Sequence, residues 1–366
     1  MNFFEWLIGA NKYDAKKEKA LTEKRLEAIY SKTDNVFIGS QEEIEKFSKL
    51  LNKEKVNKPT TSMVYRPHTF NDYIGQSQAK EYLQRYIDGT KKRKRQFPHT
   101  IITGYAGTGK TALAKIIANE LNLPFQEVLS ARIKDPMELI EVVENIEGGI
   151  LFLDEVHALD REIVEMLYTL MEDFQFEGRL FKPFTMIGAT TEYGEMVENR
   201  KPFLDRFKIK ITLEDYSKND ISQIVKKYKE RTFKDDNISD LVYNKIAENC
   251  RFTPRVGISL LDSAVFLNGD IDTTLKSANI IKKGFTNKDL EYLEAIALSP
   301  KGIGLNAIAS SLMTSKKDVT EQIEPYLFKN KMVISTKTGR IITDAGKALI
   351  IELKNNTKQQ TMVYSD

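Results

Sequence analysis

The sequence predicts an α/β protein: a parallel-sheet domain, then a smaller helical domain, then a C-terminal module of helices and a hairpin. Three observations carry this expectation. Over residues 61–213, short apolar runs bounded by turns alternate with helical patterns, the rhythm of a doubly wound sheet. Over 214–283 strand signals stop and helical periodicity takes their place, as in DISQIVKKYKERTF and ISDLVYNKIAENCRF. Over 284–366 three helical stretches lead to KMVISTKTGRIIT, two β-rich runs around a Lys-Thr-Gly turn. Helix-helix-helix-hairpin is the order of a winged helix, although small helical domains with a hairpin also serve as plain protein-binding modules.

Ahead of the sheet, residues 1–60 form a separate N-terminal helical extension. AKKEKALTEKRLEAIY and EEIEKFSKLLNKEKV are helix-favouring and charge-mixed, and Lys58-Pro59-Thr60-Thr61-Ser62 ends them in a turn-rich break. Phe3, Phe4, Trp6, Leu7 and Ile8 crowd the start of the chain. Packing against the chain's own body is the ordinary use of such a cluster; docking to a partner is the alternative.

In the sheet region, HTIITG (99–104), GGILFLD (148–154) and FTMIGATT (184–191) read as buried strands whose C-terminal ends carry the polar residues. Open α/β sheets hold their ligands at that edge. The first of these strands runs into a glycine-rich turn from Gly104 to Thr111, which fits G-x-x-x-x-G-K-[ST] and is followed by a helix with Leu113, Ile116, Ile117 and Leu121 on one face. Glycines here let successive N–H groups of Ala106, Gly107, Thr108, Gly109 and Ala112 curl around a polyphosphate, and the helix start adds partial positive charge. Lys110 would reach the β- and γ-phosphates, with the Thr111 hydroxyl on Mg²⁺. The turn therefore predicts a nucleoside triphosphate site.

Hydrolysis also needs a metal-ordering carboxylate and a group that prepares water. GILFLDEVHALD offers both, with Asp154 oriented to the metal and Glu155 as general base. A hydroxyl at the end of GATT suits the γ-phosphate or the water; Thr191 is the choice and Thr190 its close competitor. Arg206, in FLDRFKI, is either an arginine supplied to a neighbouring subunit's site or a structural partner of a nearby acid.

Composition bounds the rest. The chain has 366 residues, room for two or three domains, with 41% hydrophobic and 29% charged residues, as in soluble globular proteins. Cys250 is the single cysteine and the three histidines are scattered, which excludes an internal disulfide and zinc-type spacing. The expectation is a cytoplasmic protein without a signal peptide or membrane span. A net charge of +3 leaves any DNA contact to local basic surface. Lys91-Lys92-Arg93-Lys94-Arg95 is such a run, read as a solvated helix end with a phosphate-facing patch as the alternative.

Taken together, RPHTFNDYIGQ, GYAGTGKTALAKIIANEL, LFLDEVHAL, EMLYTLMEDF, PFTMIGATTEYG, LDRF, FTPRVG, EPYLFKNKMVIS and TGRIIT resemble the RuvB-like AAA+ ATPases over roughly residues 66–350. The resemblance implies an AAA+ P-loop NTPase domain, a helical lid and a C-terminal winged helix. It also implies an ATP- and Mg²⁺-dependent homo-hexameric motor acting on branched or duplex DNA. A clamp-loader-like or protein-remodelling ATPase of replication is the alternative. Residue by residue, it places Lys110, Thr111, Asp154 and Glu155 at the hydrolytic centre, Thr191 as first sensor, Arg206 as the finger given to a neighbour and Arg255 as second sensor. Arg66, Pro67, Tyr73 and Ile74 line the adenine pocket, which Tyr216 and Pro254 close. Arg340 and Lys337, with Lys316 and Lys317, face DNA phosphates. The family carries a long hairpin that grips a RuvA loading partner; here only FQFEGRLFK (174–182) spans that gap, which argues for a different way of finding DNA.

Overall fold

The computed structural model describes residues 66–362, so the expected extension over 1–60 and its aromatic cluster lie outside the described residues. The described residues open with helix α1 (Ser77–Arg93), strand β1 (Thr100–Thr103), α2 (Lys110–Leu121), β2 (Phe125–Leu129), α3 (Pro136–Ile146), β3 (Ile150–Asp154) and α4 (Arg161–Glu172). Two rungs follow, β4 (Gln175–Phe176) and β5 (Arg179–Leu180), then β6 (Thr185–Thr190), α5 (Tyr193–Asn199), α6 (Lys201–Leu204) and β7 (Ile209–Thr212). β2, β3, β6, β1 and β7 lie side by side in that order as a parallel sheet.

The sequence explains the architecture. TIIT and TMIGAT are buried at every position, as strands covered on both faces must be. One face carries Leu151, Leu153, Phe184 and Met186 against Leu139, Leu167 and Phe203. The other carries Ile102, Phe152 and Ile187 against Leu83, Leu113 and Ile117. β1 lies between β6 and the edge strand β7, so the turn after it emerges at the sheet's C-terminal edge, one strand in from its side. The basic run closes α1: Lys91, Lys92 and Arg93 are exposed in its last turn, where cations complement the helix dipole. The run is thus an exposed helix end, which both readings of it require.

The lid is α7 (Lys218–Thr232), α8 (Asp240–Asn249), α9 (Pro254–Phe266) and α10 (Ile271–Ser277), around Ile221, Val225, Ile246 and Leu261. Ser217 and Asp220 start α7 with a reciprocal capping box, which marks the domain junction. A small hairpin, β8 (Ile280–Lys282) and β9 (Phe285–Thr286), spans the expected boundary at 283/284.

Beyond it come α11 (Asn287–Ala297), α12 (Leu305–Ser311), α13 (Lys316–Asp318), a π-turn over Val319–Ile323, and α14 (Glu324–Lys329). The wing is β10 (Val333–Thr336) paired antiparallel with β11 (Gly339–Ile342), with Ile303 bridging Arg340 as a third rung; α15 (Asp344–Met362) closes the described chain. Helix, helix-turn-helix and wing appear in the expected order.

Candidate nucleotide site

Backbone geometry builds the site. Gly107 and Gly109 have φ of 80° and 99°, the left-handed region that side chains disfavour. Close approach excludes a side chain as well: a Cβ on Gly107 would stand 2.9 Å from the Arg255 Cβ, and one on Gly109 2.7 Å from the Tyr73 hydroxyl. Helix α2 begins at Lys110 with no side-chain cap, so its first N–H groups are left for an anion.

Lys110 is buried and its ammonium donates to the Gly104 and Tyr105 carbonyls at 2.9 and 3.2 Å. Burial depresses its pKa, while Glu155 and Asp154 pull it back up. Backbone carbonyls thus hold the cation beside the cradle that a polyphosphate would fill. The Thr108 hydroxyl donates to the Tyr105 carbonyl at 2.8 Å, bracing the loop from inside. From outside, the Tyr216 hydroxyl donates to the Thr108 carbonyl at 2.9 Å, and its oxygen lies 3.1 Å from the Tyr73 hydroxyl. Burial pushes the Tyr73 phenol well above its ordinary pKa, which keeps it a neutral donor.

A cavity of about 440 Å³ opens between sheet edge and lid. Its lining unites Arg66, Pro67, Tyr73, Ile74, Ala106, Gly107, Gly109, Lys110, Thr111, Ala112, Asp154, Glu155, Tyr216, Pro254 and Arg255. Gly104 and Thr108 shape the loop from behind and are not among the lining residues. Asp72, Glu127, Ile224, Lys227, Tyr228 and Ile258 complete the wall and escaped sequence reasoning. Ile224 and Ile258 sit on α7 and α9 of the lid, and nothing in the sequence pattern sets them apart.

Asp154 ends β3 half-buried; burial, then the Glu155 charge, raises its pKa. Glu155 follows in a left-handed conformation (φ 53°, ψ 54°), unusual for a glutamate, which turns its carboxylate away from the strand line. That carboxylate accepts from the Thr191 hydroxyl at 3.2 Å. Thr190 points elsewhere: it is fully buried, and its hydroxyl lies 3.0 Å from His157 Nδ1. The geometry therefore separates the two threonines: Thr191 bonds the Glu155 carboxylate and Thr190 lies beside His157. His157, missed in the sequence, stands 3.3 Å from the Glu155 carboxylate and 3.7 Å from that of Glu192. Its position two residues after Glu155, across a short 3₁₀ turn, was the available signal.

Arg206 is not among the residues lining its own chain's cavity. Its guanidinium lies 3.9 Å over the Tyr168 ring, with Nε 3.2 Å from Glu172 and Nη1 donating to the Pro202 carbonyl at 2.7 Å. The nearby acid is Glu172, on α4; the neighbouring Asp205 pairs with Lys210 at 3.9 Å.

In the wing, Lys337 is exposed, as are Lys316 and Lys317 at the start of the second helix of the helix-turn-helix. Arg340 departs from expectation. Its guanidinium donates twice to the buried Glu324 carboxylate, at 2.7 and 3.1 Å, and Tyr292 donates to the same carboxylate at 2.7 Å. A buried carboxylate needs its counter-ion, so Arg340 is committed to the core rather than presented to phosphate.

A glycine-bound anion cradle, an acidic pair at the C-terminal end of β3 and a helical lid over both define a P-loop ATPase of the AAA+ type. Residues 65–213 match the Holliday junction DNA helicase RuvB P-loop domain, and 282–351 match the RuvB C-terminal winged helix domain. The chain is 30% identical over 303 residues to the Holliday junction branch migration complex subunit RuvB of Mycoplasma genitalium, covering 78% of this chain and 97% of that protein. Its counterpart from Helicobacter pylori (strain G27) is 33% identical over 327 residues, covering 82% and 96%. The solved structure of the Thermotoga maritima RuvB Holliday junction branch migration motor superposes with a TM-score of 0.69 at 31% identity, covering 78% of this chain and 97% of that one. The chain belongs to the RuvB family.

Proposed function

We propose that this chain hydrolyses ATP with Mg²⁺ in a homo-hexameric ring and uses the energy to drive branch migration or translocation on branched or duplex DNA. One observation carries the reading: Lys110, Asp154, Glu155 and Arg255 line one cavity, while Arg206 is absent from that lining.

Pro67, Ile74 and Pro254 are the apolar walls for the base, and the amides from Ala106 to Ala112 receive the phosphates. Lys110 exchanges its two carbonyl partners for phosphate oxygens. Thr111 and Asp154 are the residues suited to hold Mg²⁺, which neutralises phosphate charge when bound. Glu155 takes the proton of the attacking water, and Thr191 hands over that carboxylate as the γ-phosphate arrives. Arg255, from the lid, senses that phosphate in the same chain.

Exposed Lys337, Lys316 and Lys317 suit phosphate contacts that are independent of sequence and sensitive to salt. Between α4 and β6, β4 and β5 are two residues each and turn at Glu177–Gly178. So short a projection favours a loading partner other than a standard RuvA. The deciding experiment is ATP-dependent movement of a synthetic four-way junction, with Glu155→Gln as the inactive control. ATP turnover indifferent to every DNA structure would refute the reading.

A further inference from the structure

We propose that Lys329 is a positioning residue for ATP turnover, a latch by which the winged helix holds the phosphate loop and the approach to Arg255 in register. Its ammonium forms an ion pair with Asp215 at 2.6 Å. It also lies 5.2 Å from the centre of the Tyr105 ring and 5.3 Å from that of Phe252, within reach of cation–π attraction to both. One cation at the end of α14 thus meets three elements that must agree for hydrolysis.

Each contact leads to the site. Tyr105 belongs to the phosphate loop, and its carbonyl accepts from Lys110 and Thr108. Asp215 precedes Tyr216, whose hydroxyl holds the loop at the Thr108 carbonyl. Phe252 stands three residues before Arg255, and Arg251 and Phe252 are both left-handed, at φ 54° and 59°. That bent approach is clamped from the same helix. Arg251 stacks 4.8 Å over the Tyr326 ring, donates to the Gly284 and Gln322 carbonyls, and pairs with the buried Asp289. Lys329 lies one helical turn beyond Tyr326, so one face of α14 holds both residues of the bend.

The side chain is 19% exposed, more enclosed than a surface lysine serving solubility. An ammonium held by two rings and a carboxylate is restricted, and Tyr105 and Phe252 lose that restraint when it is removed. A phosphate loop misplaced by about an ångström still binds nucleotide but reacts far more slowly.

The latch rests on the ATPase reading above. Its test is steady-state ATP turnover without DNA, alongside titration of a fluorescent ATP analogue. For Lys329→Ala the expectation is a fall in kcat of about tenfold with Kd changed less than about threefold, and for Lys329→Arg at least about half of wild-type kcat. Tyr105→Leu should show the same split, and Tyr105→Leu with Lys329→Ala should cost no more than either alone. Wild-type kcat in Lys329→Ala, a loss residing in Kd, or an additive double variant would each overturn the latch while leaving the ATPase reading intact. A wild type that binds ATP without turnover would remove both.

Discussion

The Thr191 hydroxyl donates to the Glu155 carboxylate at 3.2 Å, while Thr190, one residue earlier, turns its hydroxyl into the core toward His157. Thr190 is the last residue of β6 and is buried, whereas Thr191 lies just past the strand end, where its side chain reaches Glu155. Thr191→Val is therefore expected to lower kcat by about 10–100-fold with little change in melting temperature. Thr190→Val removes a buried hydrogen bond and should cost about 1 kcal/mol of stability. Reversed effects in paired turnover and thermal melts would exchange the two roles.

Arg206 is pre-set by the Tyr168 ring and Glu172 of its own chain, so a neighbour would receive an already oriented guanidinium. Arg206→Ala should reduce turnover by about 10³-fold. Mixing it with Lys110→Ala should restore a fraction, because some interfaces then pair an intact loop with an intact finger. If the mixture stays inactive although both variants form rings, the shared-site arrangement is wrong.

The wing predicts a division of labour. Arg340→Ala leaves Glu324 buried without its counter-ion and should destabilise the protein by about 3 kcal/mol in urea melts. Lys337→Ala should leave stability unchanged and reduce the salt slope of DNA binding by about one unit. An Arg340→Ala protein of wild-type stability with a reduced salt slope would return Arg340 to the DNA surface.

Asp72 and Lys227 tie the sheet domain to the lid across the cavity at 2.9 Å, with Arg231 nearby. The Lys227 hydrogen bond holds the Asp72 carboxyl below its ordinary pKa against the opposing effect of burial. A depressed carboxylate stabilises the fold above its unfolded pKa, near ~4, and the contribution fades as pH falls through the lower folded value. The stability gap between wild type and Asp72→Asn should be about 0.5–1 kcal/mol at pH 7 and close once the pH has fallen past the lowered folded-state pKa of Asp72. A gap that does not vary with pH would assign the effect to packing.

The sheet and its phosphate loop were legible in the sequence because buried strands and glycine turns obey local rules. TIITG running into GTGKT admits few other structures. Lys227, Asp72 and Ile258 were not legible, since no local pattern announces which face of a lid helix will close over a cavity formed by residues more than a hundred positions away. Arg340 misled for a related reason. A cation next to a hairpin turn looks like a DNA contact until Glu324, sixteen residues earlier, is seen beneath it. Thr190 and Thr191 are separated by where β6 ends and by their different partners, His157 and Glu155, which no local pattern shows.

The hairpin of β8 and β9 has a practical consequence. Lys282 and Lys283 both reach Glu352 on α15, at 2.9 and 3.5 Å, and the Tyr326 hydroxyl donates to the Lys283 carbonyl at 2.7 Å. The hairpin is thus stitched to the C-terminal module through Glu352 and Tyr326. Gene truncation or proteolytic excision at residue 284 would strip β8 from β9 and leave Glu352 without either lysine. Anyone isolating the C-terminal module should cut ahead of Ile280, and a fragment starting later should be judged for misfolding before its failure to bind anything is interpreted.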